Sequence, residues 1–301
     1  LGAGIRVSGA ADKETMNATR REFLQRSTLG LTVAACAGPG ALQLRADPLG
    51  FPIGCQTYPV RNALSQDFDG TLRQLAGMGY QTIEMCSPPG YATAGYGTLV
   101  DIKAAEMRRR IQDAGLRCES CHYQFQELKA HMDERIAFAK ELGLKQMVVA
   151  TFALRPNATL SDWTRSADEL NHLGEQTQKA GIQLGFHNHD FEFQEIDGVL
   201  IYDKLMETFE PKLIRLQFQV VVIRMGYKAS TYLRKYPNRF LSMHLADWST
   251  TEGKSVPVGS GVVDWKDLFA AAKTGGISNY FVEMEMDALK PSYTYLHGLT
   301  V

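Results

Sequence analysis

The sequence predicts an α/β protein built as one (β/α)8 TIM barrel. Three observations carry this reading. Apolar strand-like runs and amphipathic helical stretches alternate strictly from Phe51 to Leu299. The alternation gives eight strands and eight helical segments over about 250 residues, the usual size of a closed barrel. The turn after the first strand, Pro59-Val60-Arg61-Asn62, lacks the Gly-rich pattern of an open, doubly wound sheet.

Taken in order, Phe51 to Tyr58 reads as the first strand and Asp67 to Gly77 as its helix. Gln81 to Met85 is the second strand. A Gly- and Pro-rich loop, Ser87 to Gly97, precedes a helix from Ile102 to Ala114, which Gly115 ends. Arg117 to His122 is the third strand, with a charged amphipathic helix from Glu127 to Leu142. Gln146 to Thr151 is the fourth, backed by a long helix from Ser161 to Ala180. Ile182 to His187 is the fifth, followed by a helix from Gly198 to Phe209. Leu213 to Gln219 and Phe240 to Leu245 are the sixth and seventh, separated by the helix Ala229 to Lys235. Trp265 to Lys273, the strand Tyr280 to Glu285 and a short helix from Pro291 to Leu299 complete the pattern.

The chain has 301 residues and a net charge of -1, which argues against the basic face that a nucleic-acid partner demands. No run of apolar residues in its body is long enough for a spanning helix. Residues 1–15 read as an upstream or disordered segment, 16–47 as an export signal and 48–301 as the barrel. The signal is read from Thr19-Arg20-Arg21-Glu22-Phe23-Leu24 and the small-residue apolar stretch Leu29 to Ala35, a twin-arginine pattern. Val33-Ala34-Ala35-Cys36 resembles a lipoprotein cleavage box, so a lipid on Cys36 is the one membrane attachment the sequence offers. Export would place the protein in the periplasm or anchor it by lipid. Cys118 and Cys121 lie in one strand on opposite faces, too far apart to bond, and Cys55 and Cys86 read as core.

Ligands in α/β barrels sit at the carboxyl ends of the strands. The polar residues there form a short list: Glu84, His122, His187 with His189, Gln219, His244, and Glu283 with Glu285. Two histidines and one or two carboxylates around one rim form a divalent metal site. The stretch Gly181 to Phe193, GIQLGFHNHDFEF, dominates this pattern because a buried run opens directly onto His187, Asn188, His189 and Asp190. Gly259-Ser260-Gly261 reads as a tight turn feeding an Asp N-cap at Asp264, not as a phosphate loop. Trp248 and Trp265 could wall a sugar ring or pack in the core.

The order of strands, with HNHDFEF, KYPNRF, HLAD, PVGSGVVDW and FVEME, resembles the xylose isomerase-like barrels, in particular their sugar phosphate isomerase/epimerase group. The resemblance covers residues 50 to 301 and is most specific from 181 onwards. It implies one divalent metal held at the barrel mouth by residues of the fifth to eighth strands. Carried onto this chain, the ligands are His187, Gln219, His244 and Glu283, with Glu283 and His187 as the catalytic pair. Glu84, His122, His189, Asp247 and Trp248 would bind substrate. The family's carboxylates on the fifth and sixth strands are His187 and Gln219 here, which favours Mn, Zn or Fe over Mg. The implied activity is proton abstraction next to the carbonyl of a sugar or keto-sugar, as isomerase, epimerase or lyase. A sugar-binding barrel without catalysis competes with it, with Gln219 in its favour. A barrel like endonuclease IV would need more carboxylate ligands and a basic face.

Overall fold

The computed structural model describes residues 47–301. The twin-arginine segment and the Cys36 box lie outside the described residues. Eight parallel strands close into a barrel: β1 (Gly54–Gln56), β2 (Thr82–Cys86), β3 (Arg117–Tyr123), β4 (Gln146–Val149), β5 (Gln183–His187), β6 (Ile214–Gln219), β7 (Phe240–Leu245) and β8 (Asn279–Val282). Each pairs with the next in sequence, and β8 returns to β1 through Gly54 opposite Phe281 and Cys55 opposite Val282. A parallel sheet covered on its outer face by helices must be apolar there, and every residue of β2, β4 and β7 is buried.

The helices start where the sequence supplies caps. Thr159 and Asp162 form a reciprocal capping box at the head of Leu160–Lys179. Asp264 accepts the amide of Asp267 and opens Trp265–Gly275, as the turn reading of Gly259-Ser260-Gly261 requires. The four cysteines of the described residues are buried and free. No helix among the described residues is long and apolar enough to cross a membrane.

Among the boundaries that differ from the expected ones, three bear on the site and the barrel's closure. β1 is shorter than Phe51 to Tyr58, because the amide of Tyr58 turns to Gln56 Oε1 at 2.6 Å instead of continuing the ladder. β8 stops at Val282, so Glu283 sits just past the strand and Glu285 is exposed at the N-cap of the last helix. That helix, Met286–Gly298, starts five residues before Pro291, which lies inside it. Its apolar face, with Leu289 and Leu296 fully buried, outweighs the single hydrogen bond the proline forgoes. Two antiparallel ribbons extend the rim after β5 and β7: Glu195–Ile196 with Val199–Leu200, and Asp247–Ser249 with Lys254–Val256.

The barrel is tightly packed where β1 meets its neighbours. A Cβ on Gly54 would lie 2.5 Å from Phe281 Cδ1 and 2.8 Å from the Tyr280 carbonyl oxygen, and that oxygen cannot rotate away. Gly54→Ala is therefore expected to cost about 1–3 kcal/mol, read as a lower urea midpoint with an unchanged slope.

Candidate metal and substrate site

Side chains on a strand alternate between faces, so residues two apart share one. Ser120 and His122 on β3, Gln217 and Gln219 on β6, and Ser242 and His244 on β7 are three such pairs. In each, the lower residue feeds a polar layer inside the barrel and the upper one reaches the rim.

Glu84 is the hub of the lower layer. Its Oε1 accepts from Ser120 Oγ at 2.5 Å and Gln217 Nε2 at 2.9 Å. Its Oε2 accepts from Gln56 Nε2 at 3.0 Å and pairs with His244 Nε2 at 2.5 Å, with His122 Nε2 at 3.2 Å. A carboxylate has about four acceptor positions, so this one is saturated, and it is fully buried. Glu84 is thus not free to bind substrate as expected; it orients the histidines above it. Burial would raise its carboxyl, but His122 and His244 outweigh burial and hold it well below the usual range.

The upper layer gathers His122, His187 and His244, all buried, with one ring nitrogen of each within 4.8 Å of the others. The rings of His187 and His244 are 4.5 Å apart, those of His122 and His244 5.1 Å. His244 Nδ1 lies 3.2 Å from Glu283 Oε2, and Gln219 Nε2 donates to that same oxygen at 2.5 Å. All four expected ligands are therefore contiguous. Gln219, however, turns its amide NH2 toward Glu283, so it positions that carboxylate, and His122 takes the place nearer the histidine cluster. The buried Nδ1 of His187 has no hydrogen-bond partner, while that of His244 faces Glu283. A cluster of three buried imidazoles, one with an unpaired nitrogen and one facing a carboxylate, fits a borderline divalent cation.

The electrostatics divide the histidines. Burial, reinforced by His244, His189 and His122, pushes His187 well below its ordinary value. Burial likewise lowers His189 to about 4, so both rings are neutral at neutral pH. For His244 burial acts in the same direction, but Glu283 and Glu84 outweigh it and hold the ring up at about 10. A metal must displace that proton to use His244 as a ligand. Burial raises Glu283, and the opposing pull of His244 leaves it below the usual range, hence ionised.

Two other expected substrate residues are placed differently. Asp247 Oδ1 accepts from the amides of Trp248 and Val263, and its Oδ2 from the amide of Gly259 and the indole of Trp265. Those four bonds saturate it, so Asp247 clamps the loop after β7 instead of holding a hydroxyl. The clamp needs Gly261, whose Cβ would lie 2.3 Å from Asp247 Oδ1. Trp248 is half-buried under Arg224, 5.6 Å from its ring, and Trp265 is core. His189 stays at the site, edge-on to His187 at 4.8 Å.

Sequence reasoning missed Gln56, Ser120, Gln217 and Ser242, since small polar residues within apolar strands look like ordinary variation. It also missed Glu192, fully buried three residues beyond His189, whose Oε2 accepts the His189 amide at 2.7 Å while Oε1 has no partner. Burial pushes Glu192 up to about 8.

Two measurements follow from this geometry. Glu84→Ala strands four donors and is expected to destabilise the fold by about 3–5 kcal/mol in urea titration. Glu192 has a folded value above its unfolded one, so the native state keeps a proton that the unfolded state sheds between about pH 4.5 and 8. Stability attributable to it is complete below that window and falls as pH rises through it. Glu192→Gln should match wild type in melting temperature at pH 4.5 and exceed it by several degrees at pH 8; equal differences at both pH values would contradict this.

A profile described as xylose isomerase-like TIM barrel matches residues 72–299. The inosose dehydratase of Geobacillus thermodenitrificans (strain NG80-2) is 27% identical over 192 residues, 53% of this chain and 62% of that relative. The chain thus spans less than two thirds of that protein's length. A crystal structure of a sugar phosphate isomerase/epimerase from Parabacteroides distasonis ATCC 8503 superposes with a TM-score of 0.68 at 27% identity, covering 82% of this chain and 93% of that one. The IOLI protein, solved with a bound zinc atom, shares the fold at 15% identity and a TM-score of 0.57, covering 82% of this chain and 94% of that one. Closed barrel, polar rim and a profile spanning most of the described residues agree: the chain belongs to the xylose isomerase-like TIM-barrel family.

Proposed function

We propose that this chain is a metal-dependent enzyme that removes a proton next to the carbonyl of a sugar or keto-sugar, as an isomerase or epimerase does. The observation that carries the reading is the cluster of His122, His187 and His244 facing Glu283 at the carboxyl end of the barrel. A divalent metal held by His187, His244 and Glu283, with His122 or Gln219 beside it, would supply polarisation of the carbonyl and stabilisation of the developing negative charge.

The remaining work falls to the chain itself. Glu283 is ionised and its side chain is 20% exposed, so it can meet substrate from the open end. It accepts the proton from the carbon beside the carbonyl while Gln219 fixes its Oε2. Neutral His189, outside the metal ligands, can donate from one ring nitrogen and accept at the other, which suits it to hold or shuttle a hydroxyl proton. His187 can still donate from the ring nitrogen that the metal leaves free. Returning the proton to the adjacent carbon yields an isomer, and returning it to the opposite face yields an epimer.

A second reading is dehydration: after the same proton abstraction, the hydroxyl one carbon further away leaves as water. The similarity to inosose dehydratases favours it. Both readings share the first step and differ in product mass by one water.

Elemental analysis of protein purified without chelator is expected to find about one equivalent of Zn, Mn or Fe, absent from His187→Ala/His244→Ala. In deuterated water, exchange into a keto-sugar should fall about 10²–10⁴-fold in Glu283→Gln. Folded wild-type protein that neither retains added metal nor catalyses exchange would leave a sugar-binding barrel as the better account.

A further inference from the structure

A pocket of about 630 Å3 opens beside the histidine rim, between the loop after β4 and the chain that follows β5. Its volume falls within the range of small-molecule sites and exceeds what one sugar ring needs. The walls are mostly apolar: Leu154, Pro156, Trp163, Phe191, Ile196 and Ile201. Trp163 and Phe191 face each other at 6.2 Å. Phe191 is 37% exposed, a large apolar ring left open to solvent.

The pocket is joined to the rim by a shared wall. His189 lines it, stacks on Phe191 at 5.1 Å and meets His187 edge-on at 4.8 Å. The buried Nδ1 of His189 has no hydrogen-bond partner. The loop opposite is held in a specific shape: Ala153 adopts φ +52, and its amide donates to Thr151 Oγ1 at 3.0 Å. A non-glycine residue in that region carries a conformational cost, which the remaining loop contacts offset.

We infer that this pocket is a second subsite, which takes a flat apolar substituent, such as the aryl group of a keto-glycoside, on the keto-sugar whose polar ring lies at the histidine rim. The assignment rests on the sugar reading above and goes beyond it by naming a substituted, two-part substrate. A free sugar would leave Phe191 and Ile196 facing water. A substituent with an apolar face covers them while His189 contacts both halves. Arg155 and Glu195 at the edge leave the far end of the substituent free to be polar.

The test compares methyl β-glucoside with 4-nitrophenyl β-glucoside, unreactive analogues that lack the carbonyl, by calorimetry on the metal-loaded full chain. The aryl ligand is expected to bind about 10- to 100-fold more tightly, the gain from burying one ring. Ala158→Trp, which fills the pocket, should bring that ratio close to 1. Ile196→Asp, on a two-residue surface ribbon, should reduce it without added bulk. Equal affinities in wild type, no binding of either ligand, or a ratio unmoved by both variants would overturn the assignment. Failure of the sugar reading has another signature: His244→Ala would bind both glucosides as wild type does, with the ratio still set by Ala158.

Discussion

One buried carboxylate organises this site. Glu84 sits inside the barrel with no solvent contact, and Ser120, Gln217, Gln56 and His244 occupy its acceptor positions. A charge so placed is tolerable only when every lone pair is used and an opposite charge lies close. The residues that satisfy it come from β1, β3, β6 and β7, so meeting its demand fixes the relative height of four strands. The same bonds leave His244 little freedom about its ring axis. Geometry at the rim is therefore inherited from the layer beneath.

The charge on Glu84 also explains why the histidines differ. His244 touches a carboxylate through each ring nitrogen, Glu84 below and Glu283 above, and is held in its charged form. His187 has no carboxylate partner, stands among three other imidazoles and stays neutral. Residues of one type thus take different protonation states, which acid–base chemistry at neutral pH needs. Glu192 follows the same rule in reverse: with one amide donor and no cation beside it, burial keeps it protonated.

Much of this was legible in the sequence. Strand–helix alternation and capping residues such as Asp264 gave the barrel, and strand-end polar residues gave His122, His187, His189, Gln219, His244 and Glu283. Glu84 and Asp247 were found as polar residues but given the wrong work. Both are spent inside the protein, a fact that depends on partners 12 to 160 residues away. Periodicity reports which face a side chain takes, not how many donors meet it there. Ser120, Gln217 and Ser242 stayed hidden for the same reason: each becomes significant only once Glu84 is known to lie between them. The boundary errors at β1 and the last helix also arose from contacts outside the local pattern, at Gln56 Oε1 and at Leu289 with Leu296.

The departure from the family's carboxylate ligands gains a physical reading from this arrangement. The resemblance implies negative ligands on the fifth and sixth strands, where this chain has His187 and Gln219. A cation at the rim would still meet two carboxylates, but one of them, Glu84, would act through the ring of His244 and not by direct contact. A carboxylate hydrogen-bonded to the far nitrogen of a histidine ligand raises the ligand's basicity and fixes its tautomer. Negative charge here also lies one layer down, in the carboxylate that orients His244. With fewer acceptor-only groups in the first layer, more of the rim can both donate and accept protons. Under the proposed function this would suit hydroxyl-rich substrates, each of whose oxygens needs a donor and an acceptor, with Glu283 as the partly exposed carboxylate placed to take a proton from carbon.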